Sequence, residues 1–396
     1  MALPTLRLKR GEDRRLRAGH LWVFSNEVDN EATPLTGIAV GSLVRVMSDR
    51  DLFLGYAYVN PHALICARIL SRSPVHAPDR SWLEHRLKAA LALRERLFAE
   101  PYYRAVFGES DGLPGLVLDR YGDVLVGQIA TAGMESWRGE IEAAIAAVFE
   151  PQVLVWKNDT AARELEQLPR QLLTPIGRAP EELQVLEGGL RFRVPLATAQ
   201  KTGWFYDQSA NREQWRRLIR PGARVLDVCS YAGAWAITAL SRGAREALCV
   251  DSSEPALNAA ARNAAASGVT LQTRRGDAFE VLDELLRAGE RFDAVVLDPP
   301  AFIKRKKDIA RGQAAYRKLN QMAMRLLERD ALLVSCSCSY HLGAEELTAL
   351  IQSASRQAAR FVQIIYTGGQ ASDHPVHPAI AETRYLKAFF CRVTRE

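Results

Sequence analysis

One nonapeptide limits what this chain can fold into more than any other stretch: Phe292-Asp293-Ala294-Val295-Val296-Leu297-Asp298-Pro299-Pro300. Val295 to Leu297 is an apolar, β-branched run suited to a strand buried on both faces, and the two prolines end it immediately after Asp298. A carboxylate is thereby held at a strand's carboxyl end, where open parallel sheets bind their ligands. Two successive prolines also remove two backbone donors, leaving carbonyls that can accept from a planar, amine-bearing group such as a nucleobase. Taken alone, the same residues suit an ordinary Pro-rich turn equally well.

The surrounding chain supplies the context. From about Gly188 onward strand and helix patterns alternate. Strands are expected at Arg224 to Val228, Glu246 to Asp251, Thr270 to Arg274, Phe292 to Leu297 and Ala331 to Ser337, with two late ones near Phe361 to Tyr366 and Tyr385 to Val393. Helices are expected at Ala234 to Arg242, Pro255 to Ser267, Val281 to Ala288, Ala314 to Glu328 and Ala344 to Ala359. This order implies an α/β fold with a doubly wound, mainly parallel sheet over residues 188–396. Residues 1–72 instead alternate short β-rich runs with Gly and Asn breaks, the pattern of a small β-barrel or sandwich. Within it, Trp22 and Phe24 at alternate positions read as one face of a buried strand. Ser71 to Arg80 reads as a linker, Trp82 to Ala99 as a helix ended by Pro101, and Leu116 to Asp123 as part of a hairpin. Residues 73–187 carry no clustered nucleophile, metal ligands or phosphate loop, and suit a middle α+β docking or spacer domain.

Composition narrows the class. With 396 residues, 48% apolar and 25% charged, the chain is long enough for two or three domains with full cores. No apolar run approaches the roughly 18 residues of a membrane span, and Met1-Ala2-Leu3-Pro4 lacks a signal peptide's apolar core, so the cytoplasm is the expected compartment. Six scattered cysteines form no disulfide framework and are expected as thiols. The net charge of +6 is modest, but its placement is informative. Arg7, Lys9, Arg10, Arg14, Arg15 and Arg17 crowd the start, and Lys304, Arg305, Lys306 and Lys307 directly follow the Asp-Pro-Pro turn. A basic run beside a candidate site fits a phosphate backbone as substrate.

In a doubly wound sheet, chemistry gathers at strand ends. After the first strand, Asp227-Val228-Cys229-Ser230-Tyr231-Ala232-Gly233 keeps a single glycine, so a pyrophosphate cradle is poorly supported and a ligand without phosphates is favoured. Asp251, ending the second strand, can accept from a ribose diol; Asp277, after the third, can accept from an adenine amine, with the Ala278 N–H beside it. Each acid could equally cap its own helix or turn. Four acids at four strand ends point to an adenosine ligand, hence S-adenosylmethionine. Here the domain resembles a class I methyltransferase, with Val225-Leu226-Asp227 to Gly233, Asp251, Asp277 and Asp298-Pro299-Pro300 at the family's positions. The resemblance implies cofactor contacts from Asp227, Ser230, Tyr231, Gly233, Asp251, Ser252, Asp277, Ala278 and Asp298, and no metal.

The next strand selects the reaction. Val334-Ser335-Cys336-Ser337-Cys338-Ser339-Tyr340-His341 carries two cysteines two residues apart, hence on one face. They could be small buried hydrophobes; a zinc site lacks suitable ligand spacing. They could also serve covalent catalysis, since thiolate addition at C6 of cytosine makes C5 nucleophilic. Together with Gly108 to Gly115, Gln200 to Gln208, Asp373-His374-Pro375-Val376 and Tyr385-Leu386-Lys387, the chain resembles, nearly end to end, bacterial 23S (large-subunit) ribosomal RNA cytosine-5 methyltransferases with an N-terminal PUA domain.

That resemblance implies a ribosomal RNA partner, free or in an assembling large subunit, with Cys338 as nucleophile and Cys336 as fallback. It also implies substrate contacts from Pro299, Pro300, Phe302, Lys201, Lys304 and Arg305. Lys201 and Gln208 are candidates to close over the cofactor, and Asp298 to donate a proton to N3 of the base. Many RNA cytosine-5 enzymes carry a second cysteine after the paired prolines; here that residue is Ala301, so another base or water must assist product release. Three rival readings remain: a methyltransferase for an exocyclic amine, a Rossmann oxidoreductase, and a non-catalytic RNA-binding assembly protein. A two-fold homodimer is the base-rate oligomer.

Overall fold

The central strands of the carboxyl-terminal half are apolar on both faces because helices cover both: Val225, Leu226, Val295, Val296, Leu333 and Val334 are all inaccessible to solvent. The computed structural model describes residues 3–395. Met1 and Ala2, part of the stretch read above for a leader, and Glu396 lie outside the described residues. The chain forms two compact units, one comprising residues up to 181 with 200–204 and 373–383, the other 182–199, 205–372 and 384 onward.

The second unit holds a seven-stranded sheet. In chain order its strands are β1 (Arg224–Val228), β2 (Glu246–Asp251), β3 (Gln272–Arg275), β4 (Phe292–Leu297), β5 (Leu327–Ser337), β6 (Arg360–Gly368) and β7 (Lys387–Arg395). Their spatial order is β3-β2-β1-β4-β5-β7-β6. β7 runs antiparallel to both its neighbours, and the first five strands are mutually parallel. Chain direction along the sheet reverses between β1 and β4, which creates the crevice where such folds take ligands. The helices are α1 (Ser209–Leu218), α2 (Ala234–Ser241), α3 (Glu254–Ala266), α4 (Ala278–Arg287), α5 (Ile309–Leu326) and α6 (Ala344–Gln357). A separate hairpin, Glu182–Glu187 with Leu190–Pro195, precedes them in the same unit. Every strand and helix expected in this half is present. One boundary difference is β5, which begins four residues before the expected Ala331, because its polar start, Glu328-Arg329-Asp330, is exposed and gives no apolar signal.

The first unit contains two five-stranded sheets. The amino-terminal one orders Thr5–Arg7, Leu43–Met47, Phe53–Val59, Ile65–Ser71 and Trp22–Phe24 around Leu6, Leu8, Val23, Val44, Val46 and Ala67. Here one sequence expectation is corrected: Val23, not the flanking aromatics, faces the core. Trp22 and Phe24 are half-buried on the opposite face, where the Trp22 indole N–H donates to Glu109 at 2.9 Å and the Arg15 guanidinium lies 4.6 Å from the Phe24 ring centre. Alternation was read correctly, but apolar size chose the wrong side. The other sheet orders Gln171–Ile176, Val153–Asn158, Val124–Ile129, Leu116–Tyr121 and Tyr102–Phe107. Gly127 leaves room there for Trp156, whose ring would lie 2.4 Å from a Cβ at that position.

The helix Arg80–Leu97 starts earlier than apolar periodicity suggested because Asp79 caps it, accepting from Trp82 N at 2.9 Å. Its last turn buries Arg94 completely. That guanidinium donates twice to Asp111 (2.6 and 2.8 Å), to the Arg104 carbonyl at 2.8 Å and to the Asp373 carbonyl at 2.7 Å. Asp373 accepts from Arg104 N at 2.8 Å and pairs with His374 at 2.7 Å. Burial opposes the Asp373 charge, but His374 and that N–H outweigh it and hold the carboxyl below its ordinary range. Two of the family-like motifs, around Asp111 and at Asp373-His374, are thus structural members of one buried polar cluster.

Removing one partner of a fully desolvated pair leaves an uncompensated charge, so Asp111→Ala is expected to cost about 3–5 kcal/mol. Asp330→Ala, which breaks the exposed, solvent-screened Arg392–Asp330 pair of the second unit, is expected to shift the midpoint far less. Urea unfolding of the two variants checks this, and equal midpoint shifts would contradict it.

Candidate active site

The carboxyl edge of β1, β2, β4 and β5 carries the residues singled out from the sequence. Val228 of β1 lies beside Leu297 of β4, and Leu297 beside Ser335 of β5, so these three strands end nearly level. The Asp298 N–H still bonds to the Val228 carbonyl at 3.2 Å, which fixes the carboxylate directly past the strand end.

The turn after β1 is unusually wound. Cys229, Tyr231 and Gly233 have φ of 62°, 49° and 78°, so left-handed residues alternate with ordinary ones. Only Gly233 is free of the Cβ penalty there, and a Cβ on it would lie 2.9 Å from that of Ala260 on α3, so the turn packs tightly against that helix. Asp251 holds the turn in place: its Oδ2 accepts from Tyr231 N at 2.9 Å and its Oδ1 from Ser253 N at 2.8 Å. Asp251 is only half-buried, and Ser252 beside it is exposed. Asp277 caps α4, with Oδ1 accepting from Phe279 N (2.8 Å) and Glu280 N (3.4 Å), while Oδ2 takes neither bond and the residue is exposed. Capping and ligand contact are therefore compatible for both acids. Ala278 is half-buried at the first position of α4.

Asp227 differs from these. It is fully buried beneath the turn, with Oδ2 accepting from Ala236 N on α2 at 3.1 Å and Oδ1 without a protein partner. Burial raises its carboxyl to about 8. Its structural effect is to tie the start of α2 to β1 and so shape the turn above, whose Ser230 is also buried. A wound single-glycine turn, one half-buried carboxylate and a second at a helix start fit an adenosyl ligand without phosphates, as the sequence led us to expect. Among the described residues, no three His, Cys, Asp or Glu side chains group as metal ligands, and no helix is long and apolar enough to cross a membrane.

Asp298 is clamped from both sides. Gln208 Nε2 donates to Oδ1 at 2.8 Å and the Trp235 indole N–H donates to Oδ2 at 3.1 Å. Burial lifts its carboxyl to about 6 against the pull of these donors. Gln208 in turn accepts from Asn211 Nδ2 at 2.7 Å, and Asn211 reaches the Gly369 carbonyl at 2.9 Å. Gln208, read from the sequence as a lid, here orients the acid; Lys201, its companion in that reading, is exposed and belongs to the first unit.

The two cysteines separate sharply. Cys336 lies inside the core, in one cluster with Val334, Phe390 and Trp235, and burial holds its thiol well above the ordinary range. Cys338 stands one residue past the end of β5, half-buried, with Sγ 3.9 Å from the Pro299 carbonyl oxygen. One of the two carbonyls expected to face a base thus accepts from the thiol. The neighbouring bonds sew the two loops together: Ile303 N donates to Ser339 Oγ (3.1 Å), which also meets Tyr316 Oη (3.0 Å). Phe302 stacks between Tyr316 and Phe279, at 4.7 and 6.2 Å between ring centres, and so packs the loop down. Pro300 and the run Lys304, Arg305, Lys306 and Lys307 are exposed; Pro299 is buried.

Sequence reasoning missed Trp235, Asn211, Tyr316 and Ser339. Ser339 lies in the quoted cysteine motif without being singled out, and the other three carry no motif's signature: Trp235 sits in an apolar helix, and only folding brings it to Asp298.

Similarity to known proteins follows the same outline. A model of the PUA-like domain matches residues 6–72, and one described as Conserved hypothetical protein 95 matches residues 210–359. "Ribosomal RNA large subunit methyltransferase I" of Erwinia tasmaniensis is 33% identical over 98% of both chains, and the protein of that name from Vibrio cholerae is 33% identical over 98% of this chain and 99% of its own. Among solved structures, SMU.776 in complex with SAH superposes with a TM-score of 0.83 at 20% identity, covering 98% of this chain and all of that one. Trm5b from Pyrococcus abyssi gives 0.54 at 14% identity over 70% of this chain and 74% of its own. The fold is that of a class I methyltransferase with an amino-terminal PUA-like domain.

The buried acid gives a pH signature. An unfolded aspartate titrates near ~3.9; with a folded value of about 8, the native state keeps a proton that the unfolded chain releases in between. The Asp227 contribution is complete below the lower value and lost as pH rises through the upper one. Thermal melts of Asp227→Asn are therefore expected to fall less than those of the unaltered chain between pH 5 and about 8; parallel slopes would contradict it.

Proposed function

Since the chain belongs to the family of the bacterial ribosomal RNA large subunit methyltransferases I, we propose that it methylates C5 of a cytosine in large-subunit ribosomal RNA through a covalent adduct of Cys338. The observation that carries this reading is the placement of the two sulfurs: Cys338 stands at the loop edge against the Asp298-Pro299-Pro300 turn, and Cys336 is sealed in the core. A nucleophile must be reachable by a base, and only one of the pair is.

S-adenosylmethionine, the cofactor of this fold family, supplies when bound an electrophilic methyl group on a sulfonium. The half-buried Asp251 and the exposed Asp277 are the residues that would hold its ribose and adenine, with the turn from Ser230 to Gly233 held against Asp251 at the end of β1, and Asp227 would act from below by fixing that turn. A flipped-out cytosine would meet Cys338, Pro300 and Asp298. Addition forms the S–C6 bond and moves the C5–C6 electron pair toward C5, while the charge that develops at N3 is met by the Asp298 proton. Burial, by raising its carboxyl to about 6, makes Asp298 a better proton donor near neutrality than an ordinary aspartate. After C5 is methylated, loss of the C5 proton returns an electron pair that reforms the C5–C6 bond and expels the thiolate. Gln208 and Trp235 contribute by holding the acid in place; neither reacts.

The exposed Lys304 to Lys307 run beside this loop supports RNA as the substrate, as does the PUA-like domain. Backbone contacts of this kind release counterions, so log affinity falls with log salt by about 0.7–0.9 per phosphate neutralised.

The direct test incubates the protein with labelled S-adenosylmethionine and unmodified large-subunit RNA and maps the product by mass spectrometry. A methyl on a cytosine C5 is expected, with Cys338→Ser losing more than a hundredfold in rate and Cys336→Ser retaining most of it. A methyl on an exocyclic amine, or full activity of Cys338→Ser, would sink the cytosine-5 reading. A second measurement compares RNA affinity across salt: replacing Lys304, Lys306 and Lys307 with Ser should flatten the log–log slope by about two to three, and an unchanged slope would remove this run from the RNA-binding surface.

A further inference from the structure

A thiol that must act as thiolate near neutrality needs a source of stabilisation, and Lys387 is a buried cation that acts on Cys338. Lys387 opens β7 directly across from Ser337 of β5, the residue before Cys338. The side chain is buried, and its Nζ donates to the Ser339 carbonyl at 2.6 Å and to the Tyr385 carbonyl at 2.8 Å. One acceptor therefore belongs to the residue after Cys338, and the strand pairing fixes the residue before it. The nucleophile's backbone is bracketed by one lysine.

We propose that Lys387 is the proton partner and charge partner of Cys338, taking the thiol proton and holding the resulting thiolate beside its ammonium group. This inference rests on the reading of Cys338 as nucleophile, and gives that reading the base it lacks. The step balances: the S–H bond breaks, an N–H bond forms on Nζ, and a neutral pair becomes an ion pair with no net change in charge. A neutral amine has two N–H groups, which the two carbonyls occupy, and one lone pair left to accept a proton. The ammonium keeps both carbonyls and gains a third N–H for the sulfur. Burial is what makes the lysine a usable base, since desolvation lowers its amine to about 8 even though Cys338 and Glu346 act to raise it.

The charged and titratable groups facing this pair include Asp298, on the loop whose Pro299 carbonyl the thiol contacts and whose charge opposes a thiolate, and groups from four further elements. Glu346 on α6 is exposed and acts on Lys387. Tyr316 on α5 faces Cys338 with a hydroxyl bound to Ser339 Oγ, and burial keeps it protonated. Cys336 on β5 is held protonated by the core. Lys387 on β7 is the member that can carry positive charge. A purely structural lysine would serve the two carbonyls and leave the sulfur's titration unmoved.

The test reads the sulfur directly, without methyl transfer. The rate of iodoacetamide alkylation at Cys338, located by peptide mass spectrometry with Cys338→Ser as blank, is measured against pH in the full-length protein. In the unaltered chain the midpoint is expected well below the ordinary cysteine value of about 8.5; a midpoint at or above that value overturns the proposal and needs no variant. Lys387→Met is expected to raise the midpoint by about one to three pH units, and Lys387→Arg to keep it low. A folded Lys387→Met protein with an unshifted midpoint also overturns the proposal. Methylation by Cys338→Ser is scored separately: if that variant stays active, the nucleophile reading fails, whereas an inactive Cys338→Ser with an unshifted Lys387→Met midpoint leaves that reading standing and removes only the lysine.

Discussion

Asp298 is a carboxylate that the fold half-buries and then holds by both oxygens. Left in the crevice between β1 and β4 without donors, it would be expensive to keep and unspecific in direction. Gln208 and Trp235 each take one of its oxygens, so the acid has a single orientation and a proton affinity raised only to about 6. Much of the edge is arranged around that clamp. Gln208 is itself held by Asn211, α2 must start where Trp235 can reach, and Asp227 anchors the start of α2 from below. The burial of Asp227 is the cost of that anchoring.

The same logic of satisfied burial joins the Asp-Pro-Pro loop to the end of β5. Prolines cannot donate, so the loop is secured through its carbonyl and through side chains: Pro299 O to Cys338, Ile303 N to Ser339, and Phe302 between two aromatic rings. Ser339 is the joint, accepting from one loop, meeting Tyr316 on α5 and offering its carbonyl to Lys387. A cysteine placed between Ser337 and Ser339 inherits a rigid backbone on a stretch that still reaches solvent. Rigid support with an exposed reacting atom is what a positioned nucleophile requires.

The first unit shows how a family-like motif can be architectural. Gly108 to Gly115 and Asp373-His374 resemble the family's motifs in sequence, and in the fold Asp111 and Asp373 meet at the buried Arg94. Charged residues in a turn look alike on paper whether they face solvent, ligand or a buried guanidinium.

The order of strands and helices after Arg224, the acids at their ends and the stop after Asp298 were all legible in the chain, because backbone periodicity, proline chemistry and a missing glycine loop are local properties. The carbonyl-rich turn and the paired cysteines were legible as candidates only. Which sulfur is buried, which acid lies under the turn, and which face of Trp22-Val23-Phe24 meets the core depend on neighbours far along the chain: Cys336 shares a core cluster with Trp235 and Phe390, and the start of α2 bonds to Asp227. Gln208, Trp235 and Lys387 reach the site from a short turn, a helix and the last strand, separated by up to 179 positions in the chain. Spacing along a sequence specifies elements; burial and partner choice are set only when those elements pack, since desolvation and hydrogen-bond geometry belong to the space between them.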